Sequence, residues 1–356
     1  MKIKGRKQEI LRAVNQCHRA TSTRNDILKS ILFDGPKLTA TDLVVDVSVN
    51  IKANCIDPEK HLIPAIPLRQ TLSAIRSDEV ELTFGQQLVI RSLDSTFKLN
   101  TVDPSEFPRI PDTPSMLSFS CQRESLIQSL DQTTFATNAK MSNAAYNSVL
   151  IECVKNSNVV YLVATDGRRL AASKLKAQEN LEKEAKTMLP ASSCKQIRGI
   201  LSLSKSDQVT ISVDEHRAHF SCGDASAGTR LSEGRFPKWQ TIFPKHEKTI
   251  QLYRNQLGAP LSAAAISTDE ENPGVTFCLN DNFRLKSRLP NMGESSVLVD
   301  HPEKPPEGEF TLNPRFVNQF LGIIDRDLPF EMSFKDNQIP VMFGQGDYRY
   351  LVMPIE

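Results

Sequence analysis

The fold is decided by the segment Leu189-Pro190-Ala191-Ser192-Ser193-Cys194-Lys195-Gln196-Ile197-Arg198-Gly199-Ile200-Leu201 and by the strand pattern that follows it. Cys194, Ile197 and Leu201 recur at three- and four-residue steps, which places them in one buried stripe along a helix. Pro190 suits the first turn of that helix because its missing N–H would have no helical partner there. Residues 206–213 then alternate between polar and apolar, which predicts a strand with one buried face.

The same order of apolar strand end, proline, helix and alternating strand occurs twice more in the chain. The alternating strands of these copies cover residues 77–84 and 327–334, so Val80 and Val209 are 129 residues apart and Val209 and Phe330 are 121 apart. The helical stripes of the two copies are Leu68, Leu72 and Ile75 after Ile63-Pro64, and Phe316, Phe320 and Ile324 after Leu312-Asn313-Pro314.

Two shorter pairs repeat at a similar spacing. Thr41-Asp42 recurs as Thr165-Asp166 after 124 residues, and Phe107-Pro108 recurs as Phe236-Pro237 after 129 residues. A further candidate helix opens each copy, at residues 6–19, 123–138 and 253–266, where Pro260 predicts either a kink or the helix start. We therefore predict an α+β protein of three repeated domains, each with antiparallel sheets and two helices, at residues 1–117, 118–244 and 245–356.

Composition excludes several classes of protein. No apolar run approaches the roughly 18 residues of a membrane span, and no signal-peptide stretch follows the basic N-terminus. Seven cysteines without a Cys-x-x-Cys pair fit neither a disulfide framework nor a zinc site, and predict reduced thiols in a cytoplasmic protein. His216 and His219 are predicted at the tip of a hairpin and not in a metal site. No nucleotide, nucleophile or metalloprotease motif is present. An enzyme without a recognisable motif stays open, but nothing in the sequence supports one, and we predict no catalytic residues, no metal and no cofactor.

The net charge of +1 conceals a segregation of charge. The six predicted helices, with limits 6–19, 67–76, 123–138, 190–201, 253–266 and 314–326, hold 12 Lys or Arg and 4 Asp or Glu. The remainder holds 31 basic and 38 acidic residues. If the helices line one surface, that surface attracts a polyanion such as a nucleic acid.

Three motifs resemble one known family. Ala164-Thr165-Asp166-Gly167-Arg168-Arg169-Leu170-Ala171 is similar to the Ala-Thr-Asp-Gly-His-Arg-Leu-Ala segment of the bacterial DNA polymerase III beta subunit, the sliding clamp. Residues 233–239 resemble its Glu-Gly-Arg-Phe-Pro-Asp-Tyr junction, and Val352-Met353-Pro354 resembles its carboxyl end. The motifs follow the family order and spacing, and with the repeats the resemblance spans the whole chain.

The resemblance implies the DNA clamp fold, in which each chain is half of a closed, head-to-tail homodimeric ring around duplex DNA. Helices line the hole and sheets lie outside, so contacts with DNA are expected to be loose, independent of sequence and sensitive to salt. It implies a processivity factor without catalytic activity, whose partners are DNA, a second copy of itself, a clamp loader, a replicative polymerase subunit and other proteins with clamp-binding motifs. The predicted DNA-facing residues are Arg6, Lys7, Arg12, Arg19, Arg69, Arg76, Arg123, Lys195, Arg198, Arg254 and Arg315.

The resemblance also implies a pocket that takes short, partly apolar peptides of partner proteins. Its predicted lining is Tyr146, Thr165, Gly167, Arg168, Arg169, Leu170, Pro237, Thr241, Ile242, Pro340, Leu351, Met353 and Pro354. Leu, Ile, Met and Pro supply an apolar cleft, and the few polar groups fix the orientation of the peptide.

Departures from the family pattern put partner preference in doubt. Arg168 stands where the family has His, Lys238-Trp239 replaces Asp-Tyr, and Ile355-Glu356 replaces an aliphatic-Arg-Leu end. The dimer contact is predicted, on weaker similarity, at Phe107 and Ile266. The alternative hypothesis is a clamp-fold scaffold that binds partner peptides without encircling DNA.

Overall fold

The computed structural model describes residues 1–113, 116–269, 273–289 and 293–355; the predicted departure at Glu356 lies outside these ranges. All six predicted helices are present, with ends no more than four residues from the predicted ones. Pro260 lies inside the fifth helix, so the helix does not start there. The helices are α1 Lys7–His18, α2 Ala65–Ala74, α3 Arg123–Thr134, α4 Ala191–Leu201, α5 Arg254–Ala264 and α6 Pro314–Ile323.

Outside the helices the described residues form many short strands, which pair antiparallel with their neighbours within each unit described below. In chain order they are β1 Lys2–Arg6, β2 Ser30–Asp34, β3 Lys37–Thr41, β4 Val45–Asn50, β5 Asn54–Ile56, β6 Lys60–Pro64, β7 Glu79–Thr83, β8 Gln87–Arg91, β9 Thr96–Asn100, β10 Leu117–Gln122, β11 Ser148–Cys153, β12 Val159–Thr165, β13 Arg169–Lys176, β14 Ala185–Pro190, β15 Gln208–Val213, β16 Arg217–Cys222, β17 Ala225–Arg230, β18 Lys248–Leu252, β19 Val275–Leu279, β20 Phe283–Leu289, β21 Gly293–Leu298, β22 Gly308–Leu312, β23 Phe330–Phe334, β24 Val341–Gln345 and β25 Tyr348–Val352.

The strand–proline–helix copies fold as predicted. Pro64 and Pro190 end their strands immediately before α2 and α4, and Pro314 is the first residue of α6. The Asn313 side chain caps α6 by accepting from the Arg315 N–H at 2.9 Å. The predicted stripe residues are buried except for Phe316, which is half-buried. Each helix is thus attached to its strand by a rigid residue and held by an apolar stripe.

The first compact unit comprises residues 1–127, 154–159 and 176–232. Its five-stranded sheet has the order β5-β1-β7-β8-β9, and its eight-stranded sheet has the order β10-β15-β16-β17-β4-β3-β2-β6. Helix α1 packs on α2 and on the inner strands β3 and β4. The pair β4–β17 joins strands of the first and second predicted domains, so this unit crosses the predicted boundary near residue 117.

The second compact unit comprises residues 128–153, 160–175 and 233–356. Here β11, β12, β13, β25, β24, β23 and β18 lie side by side in that order, and a second sheet has the order β21-β20-β19-β22. Helix α5 packs on α6 and on β20 and β21. The pair β13–β25 joins the second and third predicted domains, so the limits at 117 and 244 remain predictions.

Candidate functional site: an apolar cavity beside a tight hairpin

The hairpin between β12 and β13 is held by its own side chains. The Thr165 hydroxyl donates to the Arg169 carbonyl oxygen at 2.6 Å and accepts from the Gly167 N–H at 3.1 Å. Asp166 Oδ1 accepts from the N–H groups of Arg168 and Arg169 at 3.0 and 3.1 Å. Gly167 has a φ of +85°, which costs glycine little because it has no Cβ. The Thr-Asp-Gly sequence therefore produces a rigid turn.

Arg169 ties this turn to other parts of the second unit. Its Nε donates to Asp166 Oδ2 at 2.9 Å, its Nη2 donates to the Phe135 carbonyl oxygen at 2.8 Å, and its Nη1 donates to the Gln319 side chain on α6. The guanidinium carbon lies 4.4 Å from the ring centroid of Phe316 and 5.4 Å from that of Phe135. Only 8% of Arg169 is exposed, so its charge is satisfied by these contacts and not by water.

The segment after Phe236 is anchored by Trp239. The indole Nε1 donates to Glu152 Oε2 at 2.6 Å, and the Gln240 amide donates to the same carboxylate at 3.0 Å. The indole ring also packs edge-on against Tyr161, with centroids 5.1 Å apart. Trp239 is buried while Ile242, three residues later, is 39% exposed. The anchor thus fixes a short 3-10 turn that presents Ile242.

Strand β25 supplies the third wall. Leu351 is paired in register with Leu170, and the Met353 N–H donates to the Arg168 carbonyl oxygen at 2.9 Å. Leu351 is buried, whereas Met353 is 42% exposed beyond the strand end. Residues 351–353 are thereby fixed beside the hairpin.

These elements enclose a cavity of about 200 Å³ in the second unit. A Cβ at Gly167 would lie 3.9 Å from the Tyr146 ring carbon Cζ, which is an ordinary van der Waals distance, so glycine is favoured here by the positive φ and not by lack of space. The structure brings eleven of the thirteen predicted pocket residues together, and their role in binding peptides stays a prediction. The lining is Tyr146, Thr165, Gly167, Arg168, Arg169, Leu170, Pro237, Ile242, Pro340, Leu351 and Met353.

The two other predicted pocket residues do not line this cavity. The Thr241 hydroxyl donates to the Lys238 carbonyl oxygen at 2.8 Å within the 3-10 turn. Pro354 is half-buried and follows Met353. Both belong to the segments that form the walls, and neither faces the enclosed space.

The repeated Thr-Asp pair builds the same turn in the first unit. The Thr41 hydroxyl donates to the Val45 carbonyl oxygen at 2.9 Å, and Asp42 Oδ1 accepts from Val44 and Val45 at 2.9 and 2.7 Å. Leu43 takes the left-handed position with a φ of +76°. The Arg230 N–H donates to the Val44 carbonyl oxygen at 3.1 Å, as Met353 does to Arg168. The repeated Thr-Asp pair therefore makes the same set of hydrogen bonds in both turns.

The surroundings of the two turns differ in chemistry. Where Leu170 opposes Leu351 in the second unit, Asp46 opposes Gly228 in the first. The Asp46 carboxylate is buried and pairs with Arg217. A Cβ at Gly228 would lie 2.6 Å from Asp46 Oδ2, so this ion pair occupies the space beside the strand. The first unit has a charged pair where the second has an apolar wall.

The predicted DNA-facing residues fall into two groups. Six are exposed: Arg6, Arg19, Arg76, Lys195, Arg198 and Arg315. Arg69 and Arg254 are half-buried. In the first unit, Arg19 lies over α4, because a Cβ at Gly199 would meet its Nε at 3.2 Å. Burial, with the nearby charges of Arg69 and Arg19, lowers the pKa of His18, so Arg69 on α2 and Arg19 just after α1 both lie near this histidine.

Three predicted DNA-facing side chains are half-buried and make contacts within the first unit. Lys7 Nζ donates to the Ile75 carbonyl oxygen at 2.8 Å, and Arg123 Nε donates to the Ser206 carbonyl oxygen at 2.8 Å. Arg12 pairs with Asp224 at 2.5 Å and with Glu9 at 2.8 Å. Their guanidinium and ammonium groups therefore join elements of this unit.

Glu9 is the centre of a small ion-pair network on α1. Lys205 and Arg12 both donate to its carboxylate, and these hydrogen bonds lower the Glu9 pKa to about 2. Within the observed helix limits the six helices hold eight Lys or Arg and three Asp or Glu, a smaller excess than predicted. The excess shrinks because Arg6, Arg19 and Arg76 lie just beyond helix ends.

The predicted dimer residues have different environments. Ile266 lies in a 3-10 turn after α5 and is 73% exposed. Phe107 is half-buried and lines a cavity of the first unit together with strands β2, β3 and β6. An exposed isoleucine of this kind is suited to contact another molecule, whereas Phe107 already has neighbours.

None of the seven cysteines, all of which lie within the described residues, is in a disulfide; six are buried and Cys55 is half-buried. Burial raises the pKa of Cys121 and of Cys153 to about 12. Among the described residues, no group of three or more His, Cys, Asp or Glu side chains is arranged to hold a metal. His216 lies in the turn between β15 and β16, and His219 lies on β16, which confirms the predicted hairpin. Over the same residues, no helix is long and apolar enough to cross a membrane.

Sequence reasoning did not find the partners of Arg169. Gln319 and Phe316 are about 150 residues away in the chain, and no local pattern connects them to the hairpin. It also missed the Glu152–Trp239 hydrogen bond, for which a signal existed: Trp239 is the one tryptophan of the chain and follows a predicted pocket residue closely.

Repeated domains of paired sheets and two helices, with a small apolar cavity beside a Thr-Asp-Gly hairpin, define a clamp-type protein. Residues 1–111 match the family model of the N-terminal domain of the DNA polymerase III beta subunit, and residues 120–238 match the model of its central domain. The chain therefore belongs to the DNA polymerase III beta subunit family, the bacterial sliding clamps.

Individual relatives agree with this membership. The beta sliding clamp of Pseudomonas aeruginosa is 26% identical over 330 residues, which cover 89% of this chain and 88% of the relative. That of Chlamydia trachomatis is 26% identical over 325 residues, covering 89% and 76%. The crystal structure of the DNA polymerase III beta subunit from Thermotoga maritima superposes with a TM-score of 0.91 at 26% identity, covering 100% of this chain and 99% of that one. The predicted clamp fold is confirmed.

Proposed function

We propose that this chain is half of a closed ring that encircles duplex DNA, slides along it and holds a DNA polymerase and other DNA-processing proteins by short peptides. The observation that carries the proposal is the apolar cavity, because eleven residues from five separate chain segments converge on it. Membership of the sliding clamp family supports the same role.

DNA contact is assigned to basic residues on the helices and just beyond their ends. Arg19 and Arg69 flank His18 in the first unit, and Lys195 and Arg198 are exposed on α4, which Arg19 contacts. Such side chains attract phosphates without reading bases, which suits a protein that slides. Lys7, Arg12 and Arg123 are better explained as structural, because backbone carbonyls or carboxylates already hold them.

The ring is proposed to close between two copies of the chain, head to tail. Strand β9 is an edge of the five-stranded sheet of the first unit, and β21 is an edge of the four-stranded sheet of the second. An edge strand carries unpaired N–H and C=O groups that can extend a sheet into another molecule. Leu298 on β21 is 52% exposed and Ile266 is 73% exposed, so apolar area is available beside the second edge.

The cavity is proposed to take an apolar side chain from a disordered tail of a partner. Met353 and Ile242 stand at its mouth, 42% and 39% exposed, while Leu170 and Leu351 form its buried wall. Ordering a tail costs entropy, so affinity is expected to be modest and partners exchangeable. A clamp loader and a polymerase subunit are the partners expected from the family. The proposed role involves no catalysis, metal or cofactor, and is placed in the cytoplasm, where the bacterial chromosome is replicated.

Retention on circular DNA tests the ring. Light scattering is expected to give about twice the chain mass, and a loaded clamp should stay on a nicked circle through gel filtration but leave after the circle is cut. If the protein is a monomer and is not retained on circular DNA, the ring hypothesis is wrong and the peptide-binding scaffold is the remaining function. Retention on circles excludes that scaffold.

A pair of variants tests the cavity separately. Met353→Ala removes apolar contact at the mouth and is expected to weaken binding of a partner tail about tenfold. Leu328→Ala, at a leucine of the same unit that is 54% exposed and lies outside the cavity lining, is the matched control. Equal binding by the two variants would show that the tail docks elsewhere.

A further inference from the structure

The outermost strand of the eight-stranded sheet in the first unit, β10, has a partly open outer side. Strand β15 lies on its inner side, and the backbone pattern shows which groups face away from β15. The Arg123 N–H, directly after β10, donates to the Asp207 carbonyl oxygen at 2.8 Å, so every second residue back from Arg123 exchanges hydrogen bonds with β15. The N–H and C=O groups of Ser118 and Ser120 therefore point outward, and the Ser120 carbonyl oxygen accepts from the Gln178 N–H at 2.9 Å.

The first repeat shows what such an edge accepts. Strand β1 holds the place of β10 there, because the Lys7 N–H donates to the Asp78 carbonyl oxygen at 2.8 Å in the same way. The outer side of β1 is covered by β5, which pairs antiparallel with residues 2–4. Counted back from Lys7 and from Arg123, those residues correspond to residues 118–120. In the first repeat the occupant of this edge is thus a short antiparallel strand.

The second repeat begins this pairing but does not complete it. Cys121 forms a single bridge with Ala177, and after the hydrogen bond from Gln178 to Ser120 the chain leaves β10. Within the described part of the chain, no backbone group pairs with the outward N–H and C=O of Ser118, which is exposed. An edge with unpaired backbone groups can accept a further strand.

A groove of about 370 Å³ lies between this edge and residues 178–183. The far wall is held at Leu181, whose N–H donates to the Ser157 carbonyl oxygen at 2.9 Å and whose carbonyl oxygen accepts from the Asn156 N–H at 2.8 Å. Leu181 is buried, whereas Met116 in the lining is 43% exposed and offers apolar area. The groove therefore has one wall of open backbone and one wall that is already fixed.

The fixed wall is acidic. Residues 178–184 include Glu179, Glu182 and Glu184 and a single basic residue, Lys183, and all four side chains are exposed. The segment therefore has a net charge of −2. Glu179 and Glu182 line the groove itself, so a cationic side chain of an occupant finds complementary charge there.

We propose that the open edge of β10 binds an extended segment of a partner protein, which adds as an antiparallel strand beside residues 116–120 and directs a Lys or Arg side chain at the glutamates of residues 178–184. Hydrogen bonds to the N–H and C=O of Ser118 supply affinity, and the charge of the fixed wall supplies selectivity. The first repeat needs no such partner, because its own β5 fills the equivalent edge.

The charge also decides between a partner protein and a second copy of this chain. Two copies joined through this edge would bring two acidic segments together, and like charges across an interface disfavour that pairing. The groove shares no lining residue with the apolar cavity of the second unit. Binding at β10 is therefore a second docking function, and it does not depend on what the cavity takes.

Two matched peptides test the proposal on the full-length protein. The lysine probe is the acetylated, amidated and fluorescently labelled peptide Thr-Lys-Val-Thr-Val-Lys-Thr, whose β-branched residues favour an extended chain. The glutamate probe has Glu in place of both Lys. Fluorescence anisotropy is expected to show saturable binding of the lysine probe, about two- to tenfold tighter than that of the glutamate probe at low salt, with a smaller difference at high salt. Hydrogen exchange followed by mass spectrometry should slow over residues 116–122 when the lysine probe binds.

Variants identify the two walls separately. Ser118→Pro removes an outward N–H that does not face β15, so the sheet is kept while the lysine probe should bind about tenfold more weakly. The double variant Glu179→Lys with Glu182→Lys changes only exposed side chains and should lose the preference for the lysine probe. Glu106→Lys, at an exposed glutamate of the same unit outside the groove, is the matched control and should behave as the unchanged protein.

Several results would overturn the inference. One is the absence of saturable binding of the lysine probe, and another is a preference for lysine that survives in the double variant, which tests the site even if Ser118→Pro does not fold. Loss of binding in Met353→Ala would place the probe in the apolar cavity instead. If the probe does not bind but light scattering shows self-association that Ser118→Pro abolishes, the occupant is a second copy and the proposed partner is wrong.

Discussion

Replacing Arg169 by alanine removes the side chain that holds the Thr165–Arg169 hairpin to α6. The variant loses the hydrogen bonds to Asp166, to the Phe135 carbonyl oxygen and to Gln319, together with the two ring contacts. It also leaves Asp166 without its cation, although the carboxylate keeps the two backbone N–H groups of the turn.

The magnitude follows from these contacts. A hydrogen bond to a charged group contributes about 1.5–3 kcal/mol, and a partly desolvated cation–π contact about 1–2 kcal/mol. Because these contributions are not additive, the loss is better compared with that of a buried ion pair whose partner is removed, about 3–5 kcal/mol. We expect Arg169→Ala to lower the free energy of unfolding by about 3–4 kcal/mol. Arg169→Lys should lose about half as much, since lysine keeps the charge but neither the planar fork nor the stacking.

Urea unfolding followed by circular dichroism measures the effect, and the adjacent arginine supplies the control. Arg168 is exposed and shares no side-chain partner with Arg169 among the described residues, so Arg168→Ala should change stability by less than about 0.5 kcal/mol. If Arg169→Ala is no more destabilising than Arg168→Ala, the assigned contacts do not stabilise the hairpin, and the reasoning is refuted.

Three other expectations concern Glu9, two glycines and the cysteine thiols. The Glu9 pKa is lowered to about 2, so the stability that its ion pairs contribute is complete above about pH 4.5 and is lost as the pH falls toward 2. The Glu9→Gln variant should therefore show a weaker dependence of the urea midpoint on pH between about pH 4.5 and pH 2. Gly228→Ala places a Cβ 2.6 Å from a buried carboxylate oxygen and should lower the free energy of unfolding by about 2–3 kcal/mol. In Gly322→Ala the new Cβ meets no atom within 4 Å, so this variant should stabilise α6 by about 0.5–1 kcal/mol. Thermal unfolding in which the two variants change the melting temperature in the same direction would contradict this. Alkylation of the native protein by iodoacetamide should modify Cys55 before the six buried thiols, and mass spectrometry of the digest would expose any other order.

Structural features that depend on residues close together in the chain were predicted correctly from the sequence. A proline after an apolar strand end, followed by a three- and four-residue stripe, located α2, α4 and α6, because helix starts depend on neighbouring residues. The cavity residues were located as a set because most of them lie in three short motifs.

Features that depend on distant pairing were not predictable. Arg12 is one of several arginines on the helices, and only the fold shows that Asp224 meets it from 212 residues away. The same holds for Arg169 and Gln319. A basic residue on a helix therefore indicates a cationic surface only when no carboxylate from elsewhere in the fold pairs with it, and a single sequence contains no sign of that pairing.

The pairing of β4 with β17 has a consequence for how the protein is made. Val45–Asn50 is translated early, but its partner Ala225–Arg230 leaves the ribosome about 180 residues later. Until then one edge of β4 has no neighbour and can pair with other chains. The first unit therefore cannot finish folding while it is being synthesised, and a truncated chain ending before residue 225 is expected to aggregate.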